Sequence, residues 1–191
     1  MALKNNANSF LYIIPIGPVD DELLDVIREG AHRSFRIQTR IEHRKIDLLQ
    51  TFDTVRNQYH ASKLLLQIIE APPADAIRIL GITEVDLFLP IFTFLFGQAQ
   101  LNGVGAILST LRLHNSFYGI PEDKLLLQER AIKETVHELG HTFGLIHCFD
   151  PVCVMQASTY VEDVDQKGLD FCDNCRGQLE LVLGESVRKN D

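Results

Sequence analysis

Two kinds of apolar spacing divide the chain. Phe10 to Ile16, Ala76 to Ile82, Val85 to Leu89 and Gly105 to Leu113 are short runs rich in aliphatic residues and read as strands, with Phe94 to Gly97 a shorter candidate. Elsewhere the apolar residues recur every three or four positions. Asp20 to Glu29 puts Leu23, Leu24 and Ile27 inward and is bounded by Gly30; Gln58 to Glu70 is a second amphipathic stretch, stopped by Ala71-Pro72-Pro73. A third runs from Pro121, Glu122 and Asp123, a good helix start, to Gly144, with Ile132, Val136, Leu139 and Phe143 as its stripe. Cys172 to Gly184 closes the chain as a turn and helix in which Leu179, Val182 and Leu183 pack. Strands alternating with helices predict an α/β (α+β) fold, a sheet layered against helices.

The third helix carries the chemistry. Within Val136 to Cys148, the residues His137, Glu138, His141, Gly144 and His147 fit H-E-x-x-H-x-x-G-x-x-H, a zinc-protease signature. Residues four apart on a helix share a face, so His137 and His141 can hold one metal. Glu138 is rotated by about 100° from His137, which sets its carboxylate beside the metal as a base for water. Gly144 can adopt the positive φ that ends a helix, so His147 can return to the same ion from outside it. Three imidazoles leave a fourth position open, as in catalytic zinc sites. The stripe lies opposite the histidines, which assigns Glu134 and Arg130 to the cleft side near His137.

All four cysteines fall near the end, as Cys148, Cys153, Cys172 and Cys175 in the pattern C-x4-C-x18-C-x2-C. Two close pairs separated by a loop are how Cys₄ zinc sites are laid out, so a second, structural zinc is favoured over two disulfides. Cys148 directly follows His147, which would couple the two metals.

Composition narrows the partners. With 191 residues and 46% hydrophobic content the chain can build one well-cored domain, here 1–191, and a net charge of −8 disfavours nucleic acid or an anionic membrane as partner. No run approaches the roughly 20 apolar residues that span a bilayer. Lys4, Asn5, Asn6 and Asn8 precede an apolar run that contains Pro15 and has no small-residue cleavage site after it, so Phe10 to Ile16 reads as a first strand and the protein as cytoplasmic. The basic stretch His32 to Lys45, with Arg33, Arg36, Arg40, Arg44 and Lys45, reads as a solvated strand and turn. Phe94 through Leu101 is either a core strand ending in a glycine turn or an exposed edge able to pair with an extended peptide.

The zinc motif followed at once by a cysteine, then Cys153-Val154-Met155 and Cys172-x-x-Cys175, resembles the archaemetzincins, small metzincin-type zinc peptidases. Similar blocks include Arg56 to Ala61, Val85 to Leu87, Phe96 to Ala99 and Ser109 to Leu113, so the resemblance spans most of residues 10 to 183. It implies a metzincin-like fold: an upper subdomain, 1–144, with a mixed twisted sheet and the active-site helix, above a small C-terminal lobe, 145–191. It implies His137, His141 and His147 as ligands of catalytic zinc, Glu138 as general base, and the four cysteines as ligands of a structural zinc. Met155 would be the methionine of a tight turn beneath the histidines. One departure is Ala157, where the family commonly has an aromatic residue, which bears on the pocket floor. The expected activity is hydrolysis of peptide bonds in a peptide or protein substrate; the alternative is a zinc-stabilised peptide-binding or adaptor protein that captures a chain without cutting it. An intact Glu138 favours chemistry.

Overall fold

The apolar runs occupy the centre of the molecule in a computed structural model that describes residues 9–188; Lys4, Asn5, Asn6 and Asn8 lie outside the described residues. In chain order the elements are β1 (Phe10–Ile16), α1 (Asp21–Phe35), β2 (Thr39–Ile41), β3 (Phe52–Asp53), β4 (Gln58–His60), α2 (Ala61–Ile69), β5 (Ala76–Thr83), β6 (Leu87–Phe88), β7 (Gly97–Ala99), β8 (Gly105–Ser109), α3 (Lys124–Thr142), α4 (Val161–Gln166) and α5 (Asp173–Arg188). A five-stranded sheet has the order β2-β1-β5-β8-β7, parallel throughout except for β7, which runs antiparallel to β8 at the edge. A smaller sheet, β3-β4-β6, lies apart.

The main strands are largely apolar on both faces because both faces are covered. Leu11 and Ile13 of β1, Leu80 and Ile82 of β5, and Ala106 and Leu108 of β8 share one core with α1, α3 and the C-terminal segment. The alternate residues Tyr12, Ile14, Ile79 and Ile107 pack with α2 on the other face. The mixed sheet, its helices and the C-terminal cysteine cluster agree with the fold class read from the sequence.

Several boundaries differ from the sequence reading, each for a local reason. Gly30 does not end α1, which continues to Phe35 and stops where Arg36 turns left-handed at φ 57°. Gly30 is instead a contact point: a Cβ there would lie 2.9 Å from Ile132 of α3. The helix expected from Gln58 begins only at Ala61, because Gln58 to His60 pair with β3 and β6. The strand expected over Val85 to Leu89 shrinks to Leu87–Phe88, since the Asp86 carboxylate is taken by Arg112 and Gln58. The strand expected to reach Leu113 ends at Ser109, and Leu111–Leu113 form a 3₁₀ turn. Phe94 to Phe96 is irregular, and the strand starts three residues later than expected, at Gly97–Ala99. In the basic stretch only Thr39–Ile41 is extended in a sheet. Helix α3 is capped by Asp123, whose side chain accepts from the Leu126 N–H, so Pro121 precedes the helix rather than opening it.

Helix α1 therefore meets α3 at a glycine. Gly30→Leu should overpack this crossing and lower the free energy of unfolding by about 1–3 kcal/mol, read from a urea midpoint. An unchanged midpoint would mean that Ile132 moves freely and that the crossing is loose.

Candidate active site and metal centre

Helix α3 packs against the sheet through its apolar stripe and presents His137, Glu138 and His141 at its last turns. His141 is followed within three residues by Gly144, whose φ of +91° is open to glycine but strained for other residues, and the chain reverses there. The reversal brings His147 back to the other two: the ligand atoms of His137, His141 and His147 all lie within 4.8 Å of one another.

Two backbone carbonyls aim the rings. His137 Nδ1 donates to the Val154 carbonyl at 2.9 Å, and His141 Nδ1 donates to the Leu145 carbonyl at 2.7 Å. Each bond fixes the tautomer and leaves Nε2 as a free lone pair. The two Nε2 atoms stand 3.1 Å apart. Nitrogens bound to one tetrahedral zinc at about 2.0–2.1 Å are separated by about 3.3 Å, so the set fits that ion. Burial lowers all three imidazoles from their ordinary range, most strongly His137, and Lys167 acts in the same direction on each. Neutral imidazole is the metal-binding form.

Glu138 is buried, and burial pushes its carboxyl well above the usual range; Glu134, one turn earlier, raises it further and Lys167 opposes both. Edge strand β7 passes directly over it: a Cβ on Gly97 would come within 2.6 Å of the Glu138 carboxyl group. The cavity beside the histidines holds about 420 Å³ and is walled by Leu89, Phe92, Phe94 and β7 on one side and Ser158 and Thr159 on the other.

Below the histidines, Met155 is fully buried with its sulfur against Gly140, where a Cβ would meet it at 2.5 Å. Cys148 N–H donates to the Met155 carbonyl at 2.9 Å, so the chain after His147 is pinned to this methionine turn. The sulfurs of Cys148, Cys153, Cys172 and Cys175 also gather within 4.8 Å, and Cys148 and Cys172 are 3.8 Å apart. A tetrahedron of sulfurs about 2.3 Å from one zinc has an edge of about 3.8 Å. Burial raises the Cys153 and Cys175 thiols, which favours neutral thiols until a cation supplies the compensating charge.

The structure thus brings together every site residue named from the sequence. Arg130 is the exception among the neighbours: it is buried away from the cavity, paired with Asp165 and with the Leu113 carbonyl, because its long side chain reaches past the cleft to α4. Two features went unseen in the sequence. Gly97 stands in the sequence only as part of the Phe96 to Ala99 block, with nothing to tie it to Glu138, and Lys167 looks like one lysine in a polar loop, yet its side chain is fully buried and its Nζ is 2.6 Å from Glu134 Oε1.

Comparison with known proteins identifies the family. The profile of peptidase family M54 matches residues 23–181. The chain belongs to that family. The archaemetzincin of Pyrococcus furiosus is 40% identical over 182 residues, covering 91% of this chain and 94% of that one. The crystal structure of the archaemetzincin from Methanopyrus kandleri superposes with a TM-score of 0.82 at 32% identity, covering 94% and 98%. A zinc-dependent peptidase from Methanocorpusculum labreanum gives 0.81 at 33% identity, covering 88% and 99%. As a member of family M54 the chain is a zinc metallopeptidase acting on peptides or proteins. Among the described residues no helix is long and apolar enough to cross a membrane.

Gly97→Ala should drive the Glu138 carboxylate from its place and lower kcat by about 100-fold, the scale of a 1 Å misplacement. Metal content and thermal midpoint should stay near wild type. A variant with full kcat would show that Glu138 has room to move and that β7 does not set its position.

Proposed function

We propose that this zinc metallopeptidase cuts extended peptides with Glu138 as general base, His137, His141 and His147 as ligands of the catalytic zinc, and Met155 as the turn methionine beneath them. The observation that carries the reading is the convergence of a ring nitrogen from each of three histidines, within 4.8 Å of one another, beside a carboxylate that is covered by an edge strand. Cys148, Cys153, Cys172 and Cys175 hold a second zinc, which fixes the segment presenting His147. We take residues 1–144 as an upper subdomain and 145–191 as a C-terminal subdomain of one metalloprotease domain of metzincin type.

His137, His141 and His147 would hold the zinc, which when bound would supply a Lewis acid for the carbonyl and lower the pKa of water towards neutrality. Glu138 takes the proton of the attacking water and carries it to the leaving amine. The substrate lies along β7. Ser109 N–H donates to the Phe96 carbonyl and Gln100 N–H to the Gly105 carbonyl, so these residues spend their backbone groups on β8. Alternation then turns the backbone groups of Gly97 and Ala99 outward, where an extended chain adds as a further strand. Gly97 lies on Glu138, so a bond delivered there sits beside the base.

The four thiols, none of them in a disulfide, suit a reducing compartment, and we place the protein in the cytoplasm. The net charge of −8 supports a partner that is neither nucleic acid nor membrane.

Glu138→Gln should lower peptide hydrolysis by about 10²–10⁴-fold while zinc stays bound. Metal analysis should find two zincs per chain, falling to one in His141→Ala; Cys172→Ser with Cys175→Ser should deplete both sites. Peptide binding with unchanged, negligible cleavage in wild type and Glu138→Gln alike would turn the reading to an adaptor protein. Ala99→Pro removes one outward N–H without touching the β8 ladder, so it should raise KM several-fold with kcat largely kept. Equal KM values would place the substrate elsewhere.

A further inference from the structure

Behind the histidines lies an ion pair that the mechanism above does not use, Glu134 with Lys167. Its meaning rests on the reading of His137, His141 and His147 as ligands of the catalytic metal.

The Lys167 side chain is 0% exposed and that of Glu134 3%. Stripping both charges of water costs several kcal/mol for each, and apolar replacements of similar volume are commonly as stable. Stability alone is thus a weak reason for such a pair, and its partners point elsewhere. Glu134 stands on α3 one turn before Glu138 and three residues before His137. The contact with Lys167 Nζ is one of charge, with Nζ outside the hydrogen-bonding directions of Oε1. Nζ donates to the Gln156 carbonyl at 3.3 Å, the residue that directly follows Met155. Two residues before Gln156, Val154 offers the carbonyl that orients His137. Nζ also packs 3.4 Å from His137 Nδ1, a contact and not a hydrogen bond, because that N–H is committed to Val154.

The segment that delivers Lys167 is itself anchored. Arg130 grips the Asp165 carboxylate through two nitrogens, at 2.6 and 2.7 Å, and Lys133 Nζ donates to the Asp165 carbonyl at 3.2 Å. Lys167 therefore starts from a point fixed to α3 and reaches the methionine turn.

We propose that Lys167 is a positioning residue: by bridging Glu134 on the active-site helix to the Gln156 carbonyl, it holds the Val154 carbonyl in register with His137 and so aims the His137 Nε2 lone pair at the metal position. His141 is outside this bridge, since its ring is held by Leu145 on the far side of the helix end. The two histidines are each other's control.

The test uses Lys167→Met combined with Glu134→Leu, which removes both charges and preserves apolar packing, together with the isosteric Glu134→Gln. Ring-nitrogen NMR of the histidines and chelator competition for zinc are read beside the thermal midpoint. The expected result is a midpoint near wild type, a displaced His137 Nδ1–H signal, a His141 signal that moves far less because it loses only the distant Lys167 charge and keeps its Leu145 bond, and zinc affinity at the histidine site lower by about 10–100-fold, as for other partners of metal-ligating histidines; equal displacement of the two signals overturns the proposal. A folded double variant with both histidine signals and zinc affinity unchanged overturns the proposal. If the double variant does not fold, Glu134→Gln decides on the same readings: a displaced His137 signal supports the bridge and an unmoved one overturns it. If His141→Ala leaves the zinc content of the wild-type protein unchanged, the metal-site reading itself fails, an outcome separate from failure of the bridge.

Discussion

Three imidazole lone pairs directed at one point within 4.8 Å is an arrangement that no helix produces by itself. Without a cation the lone pairs repel, and each ring is free to turn about its own bonds. The rest of the structure answers that problem. Backbone carbonyls at Val154 and Leu145 fix two of the rings, a left-handed glycine returns the third, and the Cys148 N–H bond to the Met155 carbonyl pins the segment on which it rides. The cost of ordering the ligands is met by folding, before any metal arrives. The cluster's own sulfurs need the same service, and they receive it from N–H groups such as that of Cys172, which donates to Cys153 Sγ.

Much of the site depends on side chains that are missing. Gly140 lets Met155 approach the helix between His137 and His141, and Gly97 lets a strand pass over Glu138. Gly30 lets α1 cross α3. In each case a backbone comes closer than a Cβ would permit, and something large on the partner fills the space. These contacts bring sheet, helix and methionine turn into one tightly spaced unit around Glu138.

The sequence made the chemistry legible because metal ligation demands fixed residue types at fixed spacing: His137, Glu138, His141, Gly144 and His147 can be read without knowing what surrounds them. The buried strands were legible for a similar reason, since β1, β5 and β8 are covered on both faces and show it in composition. Element ends were less so. Gly30 reads as a helix stop until Ile132 is seen to occupy its missing side chain, and Gln58 to His60 read as helix until β6 is seen beside them. Lys167 was illegible for a deeper reason: a lysine in a polar loop is ordinarily solvated, and only the fold shows Glu134 waiting for it. Arg130 erred in the opposite sense, because a position on the right helix face says nothing about where a long side chain ends.

The edge strand β7 has only three residues, and on the reading proposed above it would recognise a partner through peptide groups that every protein has. Recognition of that kind is nearly blind to which amino acids pass over it. It discriminates by shape: a helix keeps its amides for itself and a strand inside a sheet has already given them away. Only a chain with a stretch free of structure can be accepted. Selectivity of that kind would begin with the folding state of the substrate, and a stable folded protein, this one included, would be protected by its own hydrogen bonds.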